Sequence, residues 1–174
     1  MFPLGHATFG YLLYVPFASF ADRRLPHGLT LGALLVGTQF PDLVDKPLAF
    51  VGVLPSGRTL AHSLFFAVVL LAVLRFVTRR YGRPHLTTAF AFGHLAHLLG
   101  DVVNPVIAGR TGELTFLLWP VLPTPEYGAD DVPPWIRIVR FYASPELGPE
   151  LFLVPVAFVT FVVIEFRRRR GLVQ

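Results

Sequence analysis

The sequence predicts an all-helical bundle integral to a membrane, with about five crossings. Three observations predict it. Charged residues make up 15% of the 174, against roughly 25% in a soluble domain, too few to clothe a water-facing surface. Hydrophobic residues make up 53%, 17 of them Phe, and the mean hydropathy is +0.59. The uncharged runs are also long enough, since a helix needs about 20 mostly apolar residues, and at least about 17, to cross the hydrocarbon core. The same composition excludes a disordered chain. With no Cys, it also excludes a disulfide scaffold, thiolate chemistry and cysteine-type zinc sites.

The elements follow in order. Residues 2–20 form the first run, uncharged apart from His6, and the absence of a basic region before it argues against a cleavable signal. Arg24 and Asp42 bracket the second run, 25–41. The third extends from Thr59 to Leu74 and on through Phe76 and Val77. Arg83 and Asp101 bracket the fourth, 84–100, and the fifth spans about 147–166, between Glu150 and Glu165. The uncharged stretch 114–125 is too short to span and holds Pro120, Pro123 and Pro125, so it reads as interfacial or re-entrant. Residues 104–146 hold seven of the 16 prolines (105, 120, 123, 125, 133, 134 and 145) and read as a long irregular loop without ligand-type clusters, dispensable for folding but shaping substrate access. One membrane domain, 1–174, is expected: site-bearing helices over about 2–105, the Pro-rich loop over about 104–146, and a last helix over about 147–166.

Basic residues set the orientation. Arg23, Arg24, Arg75, Arg79, Arg80, Arg83 and Arg167 to Arg170 are ten of the 15 Lys and Arg, and the crossings put them all on one side. Lys46, Arg58, Arg110, Arg137 and Arg140 fall on the other. The positive-inside rule then places the N-terminus outside and the C-terminus in the cytoplasm of a multi-pass cell-membrane protein. Basic clusters that flank apolar runs fit membrane lipid as the partner, and no nucleic acid is expected. The run Arg167 to Arg170 reads as a topology anchor meeting anionic lipid, and His27 and His85 as surface residues of inner loops.

The costly polar residues converge on the outer side. They are His6, Asp42, Asp45, His62, His94, His97 and Asp101. On a helix, positions 94, 97 and 101 fall within an arc of about 60°. Imidazole and carboxylate groups on an apolar helix are expensive unless paired or coordinated, and helical bundles build metal sites by drawing such groups from several helices. Each residue also has a structural alternative. Asp45 and Lys46 suit a solvated loop pair, His94 a hydrogen bond to a backbone carbonyl, and His97 and Asp101 an i, i+4 hydrogen-bonded pair. Seven such residues meeting on one side favour a divalent cation, with zinc the first expectation and manganese or magnesium alternatives.

At these residues the chain resembles the membrane-bound metal-dependent hydrolase family, the group that includes the inner-membrane LexA-binding protein. The matching pieces are His6 with Gly10, Pro41-Asp42-Leu43-Val44-Asp45, Thr59-Leu60-Ala61-His62-Ser63 and His97-x-x-x-Asp101, together covering about the first 105 residues. Here Asp42-x-x-Asp45 stands where many members have Asp-x-Asp, and Gly57 precedes Arg58 where many have His. The family is distantly similar to the helical phospholipase C and P1 nuclease fold. The resemblance implies metal-ligand roles for His6, Asp42, Asp45, His62, His97 and Asp101, with His94 a further candidate.

The expected function is hydrolysis of a phosphoester, lipid-linked or at the membrane surface, by metal-activated water. Asp42 or Asp45 would be the general base and Arg58 would hold a phosphate oxygen. The alternative is a non-catalytic, metal-stabilised scaffold that binds a partner through the outer loop with Trp119, Tyr127 and Trp135. A lipid phosphatase with a His nucleophile fits less well, because Ala91 stands where its last motif needs Arg.

Overall fold

The structure, a computed structural model, describes residues 2–22, 25–125, 130–143 and 150–172. Arg23, Arg24, Tyr127 and residues 147–149 of the expected last crossing lie outside the described residues. The described chain is all-helical, as expected: α1 (Pro3–Phe17), α2 (Gly28–Phe50), α3 (Leu64–Arg80), α4 (Pro84–Ile107), α5 (Pro134–Ala143) and α6 (Glu150–Arg169). A π-helical turn, Ala18–Asp22, extends α1, and a 3-10 segment, Thr111–Leu118, follows α4.

Local chemistry sets several of these ends. Pro3 and Pro84 open α1 and α4, where a missing N–H costs nothing and the fixed φ suits the first turn. Ser63 caps α3, its side chain accepting from the Phe65 N–H at 3.2 Å. Two expectations change here. The second segment continues to Phe50 through Pro41 and Pro47, so Asp42 and Asp45 lie inside a helix. The third begins at Leu64, so Thr59 and His62 belong to a turn-rich connection and not to the helix. The stretch 104–146 is less irregular than its prolines suggest, because it contains the amphipathic α5. His85 falls in the first turn of α4.

Among the described residues one helix, α4, is long and apolar enough to cross a membrane by length and composition. Five such helices were expected. The others fall short for visible reasons: α1 and α3 have 15 and 17 residues, α2 carries Asp42, Asp45 and Lys46, and α6 ends in arginines.

The packing centres on α4. Its closest partner is α2, with α1 and α3 also against it, and α6 lies on α1. Glycines make the α2–α4 approach possible. A methyl on Gly37 would strike the Phe90 carbonyl oxygen, and one on Gly93 would strike the Leu34 carbonyl oxygen. Those obstacles are backbone atoms, which cannot rotate away. Tyr14, Leu34 and Ala89 fill the core behind the contact.

Gly37→Ala and Gly93→Ala should therefore each destabilise the bundle by about 1–3 kcal/mol or more, as overpacking does. Gly32→Ala on the same helix, where an added methyl meets nothing within 4 Å, should be neutral or stabilising. Thermal melts of the detergent-solubilised variants check the contrast.

Candidate metal centre

Four elements bring the site together. α1 supplies His6, α2 supplies Asp42 and Asp45, the 51–63 connection supplies Arg58 and His62, and α4 supplies His97 and Asp101. His6, Asp45, His62 and His97 are fully buried, and Asp101 is 3% exposed.

The two central imidazoles are each fixed from behind. His97 donates its Nδ1–H to the Thr38 carbonyl at 2.7 Å, and His62 donates its Nδ1–H to Asp45 Oδ2 at 2.8 Å. A carbonyl or carboxylate oxygen can only accept, so both Nε2 atoms are left to face inward. They lie 3.2 Å apart. Two lone pairs at that distance repel unless a proton or a metal cation sits between them. Asp42 Oδ1 is 3.6 Å from each Nε2, and Asp101 Oδ2 is 3.5 Å from His62 Nε2 and 3.8 Å from His97 Nε2. Zinc–ligand bonds of about 2.0–2.2 Å give tetrahedral edges of about 3.3–3.6 Å. Five of the six separations among these four donors, 3.2–3.8 Å, lie near that scale, and the residues present fit a small divalent cation.

The remaining candidates separate. His6 joins Asp42 and His97 in a second metal-competent group that overlaps the group of His62, His97 and Asp101. Its ring stacks on His97 at 3.8 Å, its Nε2 lies 3.5 Å from Asp101 Oδ1, and neither ring nitrogen has a hydrogen-bond partner. Asp45 is in neither group. Its oxygens accept the backbone N–H groups of Thr59, Ala61 and His62 at 2.9, 2.9 and 3.2 Å, besides the His62 ring. It is thus neither solvated nor paired with Lys46, which bonds Asp42 instead. His94 is also in neither group. It is buried against Phe40 and Phe90 with both nitrogens unpartnered, and not on a backbone carbonyl. His97, not His94, holds the carbonyl bond.

Electrostatics agree with a cationic centre. Burial opposes a charge on His62, but the surrounding carboxylates of Asp101, Asp42 and Asp45 outweigh it and raise its pKa to about 10, so a proton and a metal cation compete for the same Nε2. Arg58 Nε lies 3.2 Å from Asp101 Oδ2, and its guanidinium sits over Phe116, 5.7 Å from the ring centroid.

Sequence reasoning missed several participants. Phe116, fully buried, packs edge-on against His62. Asp130 accepts the Gly57 N–H at 2.9 Å, and Ser63 donates to the Trp119 carbonyl. The Pro-rich stretch is therefore tied to the site. The Thr38 carbonyl and the backbone N–H groups that hold Asp45 carry no side-chain signal. Lys46, four residues after Asp42, was legible as a helical ion pair. A cavity of about 250 Å³ opens beside Asp42 and is lined also by Arg58, Lys46 and Arg137.

The chain matches the model of the YdjM inner membrane protein family over residues 1–171. It belongs to that family and is a membrane protein. No curated protein and no solved structure matches it.

Residues 94, 97 and 101, alike in sequence, should behave differently on mutation. His97→Ala and Asp101→Ala should strip metal from the purified protein. His94→Phe should leave metal content unchanged and not lower stability, since it removes unpartnered buried nitrogens. Asp45→Asn should retain the ligands but weaken metal binding about 10–100-fold, as loss of an orienting group does. Elemental analysis after detergent purification reads all four.

Proposed function

We propose that this protein is a metal-dependent phosphoester hydrolase. The observation that carries the reading is the pair of inward Nε2 atoms of His62 and His97, flanked by Asp42 and Asp101. Asp42, His62, His97 and Asp101 would hold the cation, zinc being the first choice for two imidazoles and two carboxylates, and His6 would complete the set. A divalent cation there supplies Lewis acidity, acidifying water and polarising a phosphoryl oxygen.

The chain's own groups supply the rest. Asp45 holds the His62 ring and gathers the 59–62 backbone around it, so it positions and does not react. Its oxygens are taken up by the 59–62 backbone and the His62 ring, which leaves Asp42, where it is not itself a ligand of the cation, as the proton acceptor. Among the described residues Asp42 is the carboxylate that lines the cavity, where it pairs with Lys46. Water attacks phosphorus, its proton passes to Asp42, and Asp42 returns that proton to the ester oxygen, which leaves as the alcohol. Arg58 reaches the cavity from the Asp101 side and would hold a non-bridging phosphoryl oxygen.

We also propose that α1, α2, α3, α4 and α6 all cross the bilayer, with the site on the extracytoplasmic side. The ten-to-five division of Lys and Arg supports this orientation. Exposed Val53 reports it, standing in the connection that carries Arg58 and His62. In intact cells Val53→Cys, in this Cys-free chain, should react with a membrane-impermeant maleimide. Reaction only after membrane disruption would put the site in the cytoplasm.

Activity has a direct test. Purified protein should hydrolyse bis(p-nitrophenyl) phosphate or p-nitrophenyl phosphate. Chelator should abolish turnover and lower the melting temperature, because the ligands are assembled only in the folded chain. Arg58→Gln should cut turnover about tenfold or more while retaining metal. A protein that binds the cation but turns over neither ester would fit the scaffold reading instead.

A further inference from the structure

The cavity beside Asp42 has an unequal lining. Lys46, Arg58 and Arg137 line it with the carboxylate of Asp42. Lys46 pairs with Asp42 and Arg58 with Asp101, but an ammonium and two guanidinium groups carry more N–H donors than a carboxylate takes up, so the lining suits an anion. The same lining holds apolar side chains, Phe2, Leu43 and Ile138 among them. Leu43 is 67% exposed, so the apolar lining continues outward onto the protein surface.

Arg137 comes from α5, the short helix in the Pro-rich stretch. Three contacts hold α5 over α1 and α2. Phe141 stacks on Phe2 at 3.6 Å, Trp135 meets Phe50 edge-on at 5.7 Å, and the Tyr142 hydroxyl accepts the Leu4 N–H at 3.2 Å. The exposed side of α5 is mixed: Val139 is 66% exposed beside an exposed Arg140, and Trp135, which meets Phe50, is still 59% exposed. In a membrane protein, an amphipathic helix with that face outward lies in the interface and meets lipid. The inner side of the same helix carries Arg137 and Ile138 to the cavity.

We propose that the site takes an anionic amphiphile, its phosphate-type headgroup between Lys46, Arg58 and Arg137 and its chain leaving along Phe2, Leu43 and Ile138 into the bilayer. Arg137 is then a specificity residue that selects a membrane-borne ester over a soluble one. The inference rests on the phosphoester reading for the chemistry, and on the cavity for the ligand class.

Binding is tested apart from turnover with phosphonates, whose carbon–phosphorus bond phosphoester hydrolysis does not cleave. Metal-loaded protein in neutral maltoside detergent is titrated with three probes, followed by tryptophan emission: hexadecylphosphonate, methylphosphonate and hexadecanol. Hexadecylphosphonate should bind. Methylphosphonate should bind about a hundredfold more weakly, since a few buried methylenes at about 0.8 kcal/mol each account for that factor. Hexadecanol should bind at least about tenfold more weakly, for want of the anion. Arg137→Gln should weaken hexadecylphosphonate about tenfold with metal content unchanged, and Arg137→Lys should recover most of the loss. Equal binding of the two phosphonates would make the ligand a free phosphate and overturn the proposal, as would equal binding of hexadecanol. Full affinity in Arg137→Gln would overturn the role of α5. Tight hexadecylphosphonate binding by a protein with no turnover would remove the hydrolase reading while supporting this one.

Discussion

The close approach of α2 to α4 governs where the site residues fall. Gly37 and Gly93 let the two backbones meet without intervening side chains. One position past Gly37, the Thr38 carbonyl is close enough to accept the His97 ring N–H at 2.7 Å. That bond sets the tautomer of His97 and turns Nε2 toward Asp42, one turn further along α2. If the helices were spaced by ordinary side chains, the carbonyl would lie out of reach and the imidazole would be free to rotate. Packing and chemistry are thus the same constraint seen at adjacent residues.

Asp45 does for the 51–63 connection what the glycines do for the helices. A buried carboxylate is costly unless its lone pairs are occupied. Here three backbone N–H groups and one ring N–H occupy them, all from residues 59–62. The connection wraps around a charge that α2 holds in place, and His62 emerges with Nε2 facing His97. A site of this kind needs little flexibility. What remains uncompensated is the centre itself, where Asp42 Oδ1 and both nitrogens of His6 lack hydrogen-bond partners. Those unmet atoms surround the position where the four donors converge.

The sequence carried the all-helical class, though not five helices long and apolar enough to span, and it singled out residues that the fold brings together. Composition and run length sufficed for helices, and the cost of polar groups in apolar runs pointed to His6, Asp42, His62, His97 and Asp101. Periodicity could not rank residues on one face. His94 shares its arc with His97 and Asp101, yet it packs between Phe40 and Phe90 and belongs to neither metal-competent group. The distinction depends on which α2 atoms stand opposite, and that is tertiary. The division between Asp42 and Asp45 was equally hidden, because at i, i+3 their side chains point toward different neighbours and only the folded connection shows which one is enclosed. Segment ends were misjudged where charge was read as a boundary. Asp42 does not end α2, because the bundle interior receives it.

The Pro-rich stretch shows the opposite error. Prolines mark a chain that cannot form long regular helix, and they say nothing of what that chain touches. Phe116 covers His62, Asp130 pins Gly57, and the Trp119 carbonyl receives Ser63, the residue that caps α3. Each contact falls on or beside the connection that Asp45 organises, so that connection is clamped from two directions. The same stretch then forms α5 and returns Arg137 to the cavity. A segment that closes the metal centre at one end and lines the cavity mouth at the other couples two requirements. The centre must exclude bulk water to keep its electrostatics strong, and the cavity must remain open to a ligand. Placing both tasks on one tethered segment outside the long helices leaves α1, α2 and α4 free to be rigid.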